Sequence, residues 1–157
     1  MKHKNYFLLV ILLITIDQAS KFLIAKQLDL GELVEVTSLL NLTHVHNYGA
    51  AFSFFSGLTG WQSYLLPSIS IIASIAIFIW MFRVGPEKKL KITSLAFMLS
   101  GAIGNMIDRV AFRYVEDFLS FHSQGFYFPV FNVADTLLFI GVILLIISDT
   151  QLNKKDS

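Results

Sequence analysis

Four long apolar segments divide the chain, and each approaches the length that crosses a lipid bilayer. They lie at about residues 6–25, 64–82, 92–108 and 133–148. An α-helix needs ~20 predominantly apolar residues to span the hydrocarbon core of a membrane. The second segment has no charged residue, whereas the first contains Asp17 and Lys21 and the fourth contains Asp135. The pattern predicts an all-α membrane protein, a bundle of four transmembrane helices.

The basic residues are distributed unevenly among the segments that flank these helices. If the N-terminus is inside, eight lysines and arginines lie on the inner side and four on the outer side. Because cytoplasmic flanks carry an excess of Lys and Arg, both termini are predicted to be cytoplasmic. Lys2-His3-Lys4 before an apolar run also resembles a secretory signal peptide, but no small-residue cleavage site follows. We therefore expect residues 1–157 to form one membrane domain that keeps its first helix.

The connection between the first two helices has a different pattern, at about residues 30–60. Aliphatic and polar residues alternate there in two stretches before the turn signal Asn47-Tyr48-Gly49, and residues 50–55 are mainly apolar. Alternation with a period of two is typical of strands that lie on a surface. A small extracytoplasmic β-sheet between helices 1 and 2 is therefore predicted. The alternative is a plain extracellular cap.

Composition narrows the range of functions. Of the 157 residues, 55% are hydrophobic and 15% charged, and the formal net charge is +1. So small a charge gives no reason to expect nucleic acid as a partner. The absence of cysteine excludes disulfides, thiolate metal sites and cysteine nucleophiles. His44 and His46 would share one face of a strand, but they lack HExxH spacing, and no GxSxG serine motif is present. We therefore predict no metal site.

Acidic residues lie inside or beside the predicted helices, where a charge is costly unless it faces protein or water. They are Asp17, Asp108, Asp117 and Asp135. The predicted topology places all four toward the extracytoplasmic face. Two carboxylates brought together there cannot both ionise easily, so a shared proton near neutral pH is expected. Such a pair suits an aspartyl hydrolase that activates water, and it equally suits a proton-coupled membrane carrier.

Other polar residues are interpreted as structural. Asp17 and Lys21 are four apart on one helix face and are expected to form an ion pair. A stripe of small and polar residues recurs on the third helix at i, i+3, i+4 and i+7, and consists of Gly101, Gly104, Asn105 and Asp108. Its glycines favour close helix packing, and Arg109 is expected to compensate the charge of the aspartate. Asn132 is either a helix N-cap or, with Asp135, part of one polar helix face.

Five short blocks that contain these polar residues are spread over almost the whole chain. They are Asp17-Gln18-Ala19-Ser20-Lys21, Asn47-Tyr48-Gly49-Ala50-Ala51-Phe52, Gly101-Ala102-Ile103-Gly104-Asn105-Met106-Ile107-Asp108-Arg109, Val115-Glu116-Asp117-Phe118 and Phe131-Asn132-Val133-Ala134-Asp135. Any one block is weak evidence. Taken together in this order, with apolar helices between them, the five blocks closely resemble the signature blocks of the bacterial lipoprotein signal peptidase (signal peptidase II) family.

The resemblance implies an aspartyl endopeptidase of the bacterial cytoplasmic (inner) membrane, with its active site near the extracytoplasmic face. Its substrate would be a prolipoprotein with a diacylglyceryl group on a cysteine, cut just before that cysteine. The implied catalytic pair is Asp117 and Asp135. The implied substrate-binding or supporting positions are Asn47, Gly49, Asn105, Asp108, Arg109, Asn132, Asp17 and Lys21. The resemblance also implies no metal or organic cofactor, contact with membrane lipid, and inhibition by the cyclic peptide globomycin.

Two positions depart from the pattern of that family. His46 stands where many members have arginine, and Glu116 stands where an aliphatic residue is common before the catalytic aspartate. Neither departure removes a residue of the implied catalytic pair. Because Glu116 places a negative charge next to Asp117 in the chain, we expect it to alter the pH dependence of activity.

Overall fold

The computed structural model describes residues 4–49 and 62–153, and four α-helices cover most of that chain. They are α1 Lys4–Gln27, α2 Gln62–Arg83, α3 Lys89–Phe112 and α4 Val133–Asn153. Each is long and apolar enough to cross a membrane, judged by length and composition. The four predicted membrane helices are therefore confirmed. Most of their ends lie beyond the predicted limits, because backbone hydrogen bonding continues into polar residues such as Lys26 and Arg83.

A four-stranded antiparallel sheet lies at one end of the helices. Its strands, in spatial order, are β1 Leu33–Thr37, β2 Leu40–Asn47, β3 Val115–Ser123 and β4 Phe126–Tyr127. The sheet predicted between helices 1 and 2 is confirmed, but two of its strands come from the connection between α3 and α4. The sequence patterns did not predict strands in that second connection. The apolar stretch at residues 50–55 lies outside the described residues.

α3 is the central helix of the bundle and packs against α1, α2 and α4. Within its most apolar stretch 56% of residues are buried, against 17%, 17% and 22% for α1, α2 and α4. A cluster of buried apolar side chains from α1, α2 and α3 includes Val10, Met81, Leu95 and Leu99. Large apolar side chains on the outward faces remain exposed, as suits a surface that lipid covers.

Glycines on α3 and α4 let the helices approach closely, as the small-residue stripe predicted. A Cβ atom on Gly101 would collide with the carbonyl oxygen of Ala134 in α4. A Cβ atom on Gly104 would lie 2.5 Å from Oδ2 of Asp17 in α1 and 3.2 Å from the Ala134 side chain. Gly104 therefore makes room for a carboxylate between three helices.

We expect Gly104→Ala to lower the free energy of unfolding by about 1–3 kcal/mol, because the added methyl group overpacks the contact with Asp17. Helix propensity alone would change stability in the opposite direction, by roughly 0.5–1 kcal/mol. Thermal unfolding of the purified protein in detergent measures the difference. Val110→Ala, at an exposed position of the same helix, is the control. A Gly104→Ala protein as stable as the parent would contradict the proposed close contact.

Candidate active site

Asp117 lies within β3, and its side chain is almost completely buried, with 2% exposed. Its Oδ1 accepts a hydrogen bond from Nδ2 of Asn132 at 2.6 Å, and its Oδ2 accepts one from Nδ2 of Asn47 at 2.7 Å. The orientation of Asn47 is fixed in turn, because its Oδ1 accepts the backbone N–H of Gly49 at 2.9 Å. Gly49 has a φ of 106°, a backbone conformation that favours glycine.

Asp135 lies in the first turn of α4 and is more accessible than Asp117. Its Oδ1 accepts a hydrogen bond from Nδ2 of Asn105 at 2.7 Å. Its Oδ2 accepts the backbone N–H of Asn132 at 3.3 Å, while its own backbone N–H donates to Oδ1 of Asn132 at 2.9 Å. This reciprocal pair caps the helix, so the predicted N-cap role of Asn132 is present.

Asn132 joins the two aspartates directly. Its side-chain amide contacts Asp117 and its backbone amide contacts Asp135, and the residue is completely buried. The same Nδ2 lies 3.1 Å from Oδ1 of Asn105, which holds Asp135 from the other side. Two carboxylates from different elements are thus held in one hydrogen-bonded unit by two asparagines.

The electrostatic environment favours a proton on Asp117. Burial raises the pKa of Asp117 from 3.8 to about 7, and the nearby charge of Asp135 acts in the same direction. The hydrogen bonds from Asn47 and Asn132, and the charge of Lys21, act to lower it. Near neutral pH the Asp117 carboxyl is therefore present in both its protonated and its ionised form, as a general acid or base requires.

A buried ion cluster lies beside the two aspartates. Nζ of Lys21 is 2.9 Å from Oδ2 of Asp17 and 2.8 Å from Oδ2 of Asp108. It also donates to Oδ1 of Asn105 at 3.1 Å. The other oxygen of Asp17 accepts the backbone N–H of Ala134 at 2.8 Å, which ties α1 to the first turn of α4. The predicted ion pair of Asp17 and Lys21 is present.

The direct ion pair of Asp108 is with a different cation from Arg109, whose charge acts on Asp108 without such a contact. In the described chain, Asp108 forms its ion pair with Lys21 of α1, because that lysine reaches across the close contact between α1 and α3. Arg109 instead donates from Nη1 to Oγ of Ser70 in α2 at 3.1 Å. Its charge is nevertheless attracted by those of Asp135, Asp117 and Asp108. Arg109 therefore lies at the α2 side of the same polar region.

The profile of a family described as signal peptidase (SPase) II matches residues 9–150. The chain belongs to the signal peptidase II family. The family resemblance drawn from the five sequence blocks is confirmed, and the protein is a transmembrane protease of this type.

Relatives and solved structures extend over nearly the whole chain. A lipoprotein signal peptidase of Buchnera aphidicola subsp. Schizaphis graminum is 43% identical over 149 residues, covering 93% of this chain and 96% of the relative. One from Acinetobacter baylyi is 42% identical, covering 94% and 82%. A bacterial membrane enzyme structure solved in meso at 1.9 Å is 33% identical with a TM-score of 0.81, covering 92% of this chain and 91% of that one. A second, at 2.3 Å, is 31% identical with a TM-score of 0.83, covering 98% and 92%.

Gln18 has a role in the buried ion cluster that was not predicted from the sequence. Its Nε2 lies 3.1 Å from Oδ2 of Asp17, 3.0 Å from Oδ1 of Asp108 and 3.2 Å from the carbonyl oxygen of Gly104. It therefore shares Oδ2 of Asp17 with Lys21 and satisfies Oδ1 of Asp108, which the ion pair with Lys21 leaves available. The signal was present, since an uncharged polar residue next to an acid inside an apolar helix is expected to have a partner.

The expected effect of Glu116 on the pH dependence of activity remains a prediction. In the structure, the Glu116 side chain points away from Asp117. Successive side chains on a strand point to opposite faces, and the Glu116 carboxylate contacts His44 and His46. Burial and Asp135, rather than Glu116, raise the pKa of Asp117. Although Glu116 is next to Asp117 in the sequence, its carboxylate therefore lies on the opposite face of the sheet.

We expect Lys21→Met to lower the free energy of unfolding by about 3–5 kcal/mol, because it leaves two buried carboxylates without their cation. Lys26→Met, at an exposed position near the end of the same helix, is the matched control and should have little effect. Thermal unfolding in detergent gives both values. Equal stability losses in the two variants would rule out the assigned role of Lys21.

We expect Asn47→Ala to move the titration midpoint of Asp117 upward by roughly one pH unit. The reason is that this hydrogen bond lowers the pKa of Asp117, and a bond to a charged group contributes about 1.5–3 kcal/mol. The ¹³C chemical shift of the Asp117 carboxyl, followed against pH, measures it. Asn41→Ala removes a buried asparagine on the same strand that contacts His122, and should leave the midpoint in place. A downward shift in Asn47→Ala would contradict the assignment.

Proposed function

We propose that the protein is an aspartyl endopeptidase that removes signal peptides from diacylglyceryl-modified bacterial prolipoproteins, cutting before the lipidated cysteine. The observation that carries this proposal is the pair of carboxylates, Asp117 and Asp135, both bonded to Asn132 in a chain of the signal peptidase II family. Relatives at 43% and 42% identity are named lipoprotein signal peptidases, which supports the same substrate class.

The two aspartates take different roles in the proposed reaction. Asp117 carries the shared proton, since burial raises its pKa to about 7, and the more accessible Asp135 acts as the base. Asp135 removes a proton from water while the water oxygen bonds to the scissile carbonyl carbon, and Asp117 gives its proton to the carbonyl oxygen. Asp135 then passes its proton to the leaving nitrogen as the C–N bond breaks, and Asp117 recovers a proton from the new carboxyl group.

An apolar cavity beside Asp135 supports a lipid-modified substrate. Its volume is about 580 Å³, and aromatic side chains form much of its wall. The lining residues are Leu119, Phe121, Phe128, Phe131, Asp135, Thr136 and Phe139. A diacylglyceryl chain or the apolar end of a signal peptide would bury its surface there and hold the scissile amide near the carboxylates.

The proposed membrane setting follows from the same features. The aspartates lie where α4 begins and β3 pairs in the sheet. The opposite end of the bundle carries the basic residues Arg83, Lys88, Lys89 and Lys91, in or beside the connection between α2 and α3. With that connection in the cytoplasm, both termini are cytoplasmic and the active site lies near the extracytoplasmic face of the inner membrane. The proposed partners of the protein also include membrane lipid and globomycin-type cyclic peptides.

Cleavage of a purified lipidated prolipoprotein in detergent, with EDTA present, tests the function. Asp117→Asn and Asp135→Asn should each reduce cleavage by at least about 10³-fold, because each removes one proton-transfer group from a pair that acts together. Asp149→Asn, which alters an ion pair with Lys91 at the other end of the bundle, should cleave normally.

The controls separate loss of chemistry from loss of folding. Both substitutions keep the shape of the side chain, so unchanged circular dichroism and thermal unfolding should accompany the loss of cleavage. Full activity in either variant would overturn the assignment of the pair. Proton-dependent substrate flux in vesicles, without cleavage of lipidated peptide by the parent protein, would instead favour the proton-coupled carrier.

A further inference from the structure

Three potential metal ligands meet on the face of the sheet opposite Asp117. In the β2–β3 pairing, Val45 lies opposite Asp117 and His46 lies opposite Glu116. Since side chains alternate along each strand, His44, His46 and Glu116 share the other face. Their potential ligand atoms, one from each residue, all lie within 4.8 Å of one another.

We propose that His44, His46 and Glu116 form a binding site for one divalent transition-metal ion of the zinc type. Nε2 of His44 lies 2.9 Å from Oε2 of Glu116, and Nε2 of His46 lies 3.4 Å from Oε1. In a tetrahedral zinc site, bond lengths of ~2.0–2.2 Å place neighbouring ligand atoms roughly 3.3–3.6 Å apart. The cluster therefore needs only small side-chain adjustments to surround an ion.

The tautomer of His44 supports a cation at this position. Its Nδ1 lies 2.9 Å from the carbonyl oxygen of Leu28, which can only accept, so Nδ1 carries a proton. In a neutral ring, Nε2 then presents a lone pair toward the carboxylate of Glu116 at 2.9 Å. Two lone pairs repel unless a cation lies between them or the ring gains a second proton. A backbone carbonyl that fixes Nδ1–H while Nε2 binds metal is a common arrangement in metal sites.

The cluster is held in place before any ion binds. His44 and Glu116 are 7% and 8% exposed, and the His46 ring stacks on Tyr114 at 3.8 Å with 14° between the planes. The strand pairing that sets His46 opposite Glu116 fixes the spacing of these two ligands. Little side-chain freedom is therefore lost on binding, which favours affinity.

A simple ion pair would account for less of this geometry. One protonated histidine would satisfy the buried carboxylate, yet each carboxylate oxygen faces a separate imidazole. Two neutral imidazoles and one carboxylate provide three ligands with a single negative charge, and they leave a fourth position for water. The cluster lies on the opposite face of the sheet from Asp117. The ion therefore joins β2 to β3 and takes no part in cleavage.

Metal titration of the untagged full-length protein in detergent tests the inference. After removal of metal with EDTA and exchange into chelator-free buffer, Zn²⁺ is titrated against a chromophoric chelator, and Co²⁺ is used to observe tetrahedral absorption bands. We expect one ion per chain and a metal-induced rise in Tm. His44→Ala, His46→Ala and Glu116→Gln should each weaken Zn²⁺ binding at least about 10-fold and abolish the rise in Tm.

The matched control is His122→Ala, on the same strand as Glu116, where Nε2 of His122 lies 3.2 Å from Oδ1 of Asn41. This variant should bind one Zn²⁺ with the parent affinity. Glu116→Gln retains the side-chain shape, so it decides the question even if a histidine variant fails to fold. Absence of saturable binding, or binding that falls equally in His122→Ala, would overturn the proposal. Cleavage in EDTA reports on the aspartate pair separately.

Discussion

The contact between Lys21 and the two carboxylates of Asp17 and Asp108 is the interaction on which the rest of the site depends. It joins α1 to α3 through ion pairs of 2.9 and 2.8 Å, with the lysine 3% exposed. Asp17 extends the connection to α4 through the backbone of Ala134. Removing charges from water is expensive, so such a cluster forms only if every partner is present. The three helices are thereby held in one relative position at the polar end of the bundle.

Two asparagines connect the ion cluster to the proposed catalytic aspartates. Asn105 accepts from Lys21 and donates to Asp135, and Asn132 bonds to both Asp135 and Asp117. A continuous path of hydrogen bonds therefore leads from the ion cluster to the proposed catalytic pair. Amides suit this task because they provide donors without adding charge. The hydrogen bonds from Asn47 and Asn132 lower the pKa of Asp117, against the rise that burial and the charge of Asp135 cause.

Local sequence patterns predicted much of the fold but not the contacts between distant segments. Apolar length predicted the helices, and a spacing of four predicted the pair of Asp17 and Lys21. The partner of Asp108 was missed because it depends on how closely α1 approaches α3 at Gly104, which no local pattern encodes. The assignment of Asp117 and Asp135 as a pair depended on the family resemblance, because charge and hydropathy alone left hydrolase and carrier open. The strand that carries Asp117 was missed because its pairing with β2 is long-range.

The shift in strand pairing between Leu42 and Val45 determines which chemistry each face of the sheet presents. Beyond it, Asp117 faces Asn47 and its neighbour Glu116 faces the two histidines. A slip of one residue would exchange these environments, placing a glutamate beside the amide and an aspartate beside the imidazoles. Deleting or inserting one residue between Leu42 and Val45 would thus leave the composition nearly unchanged. It would nevertheless exchange the polar groups that the two faces of the sheet present.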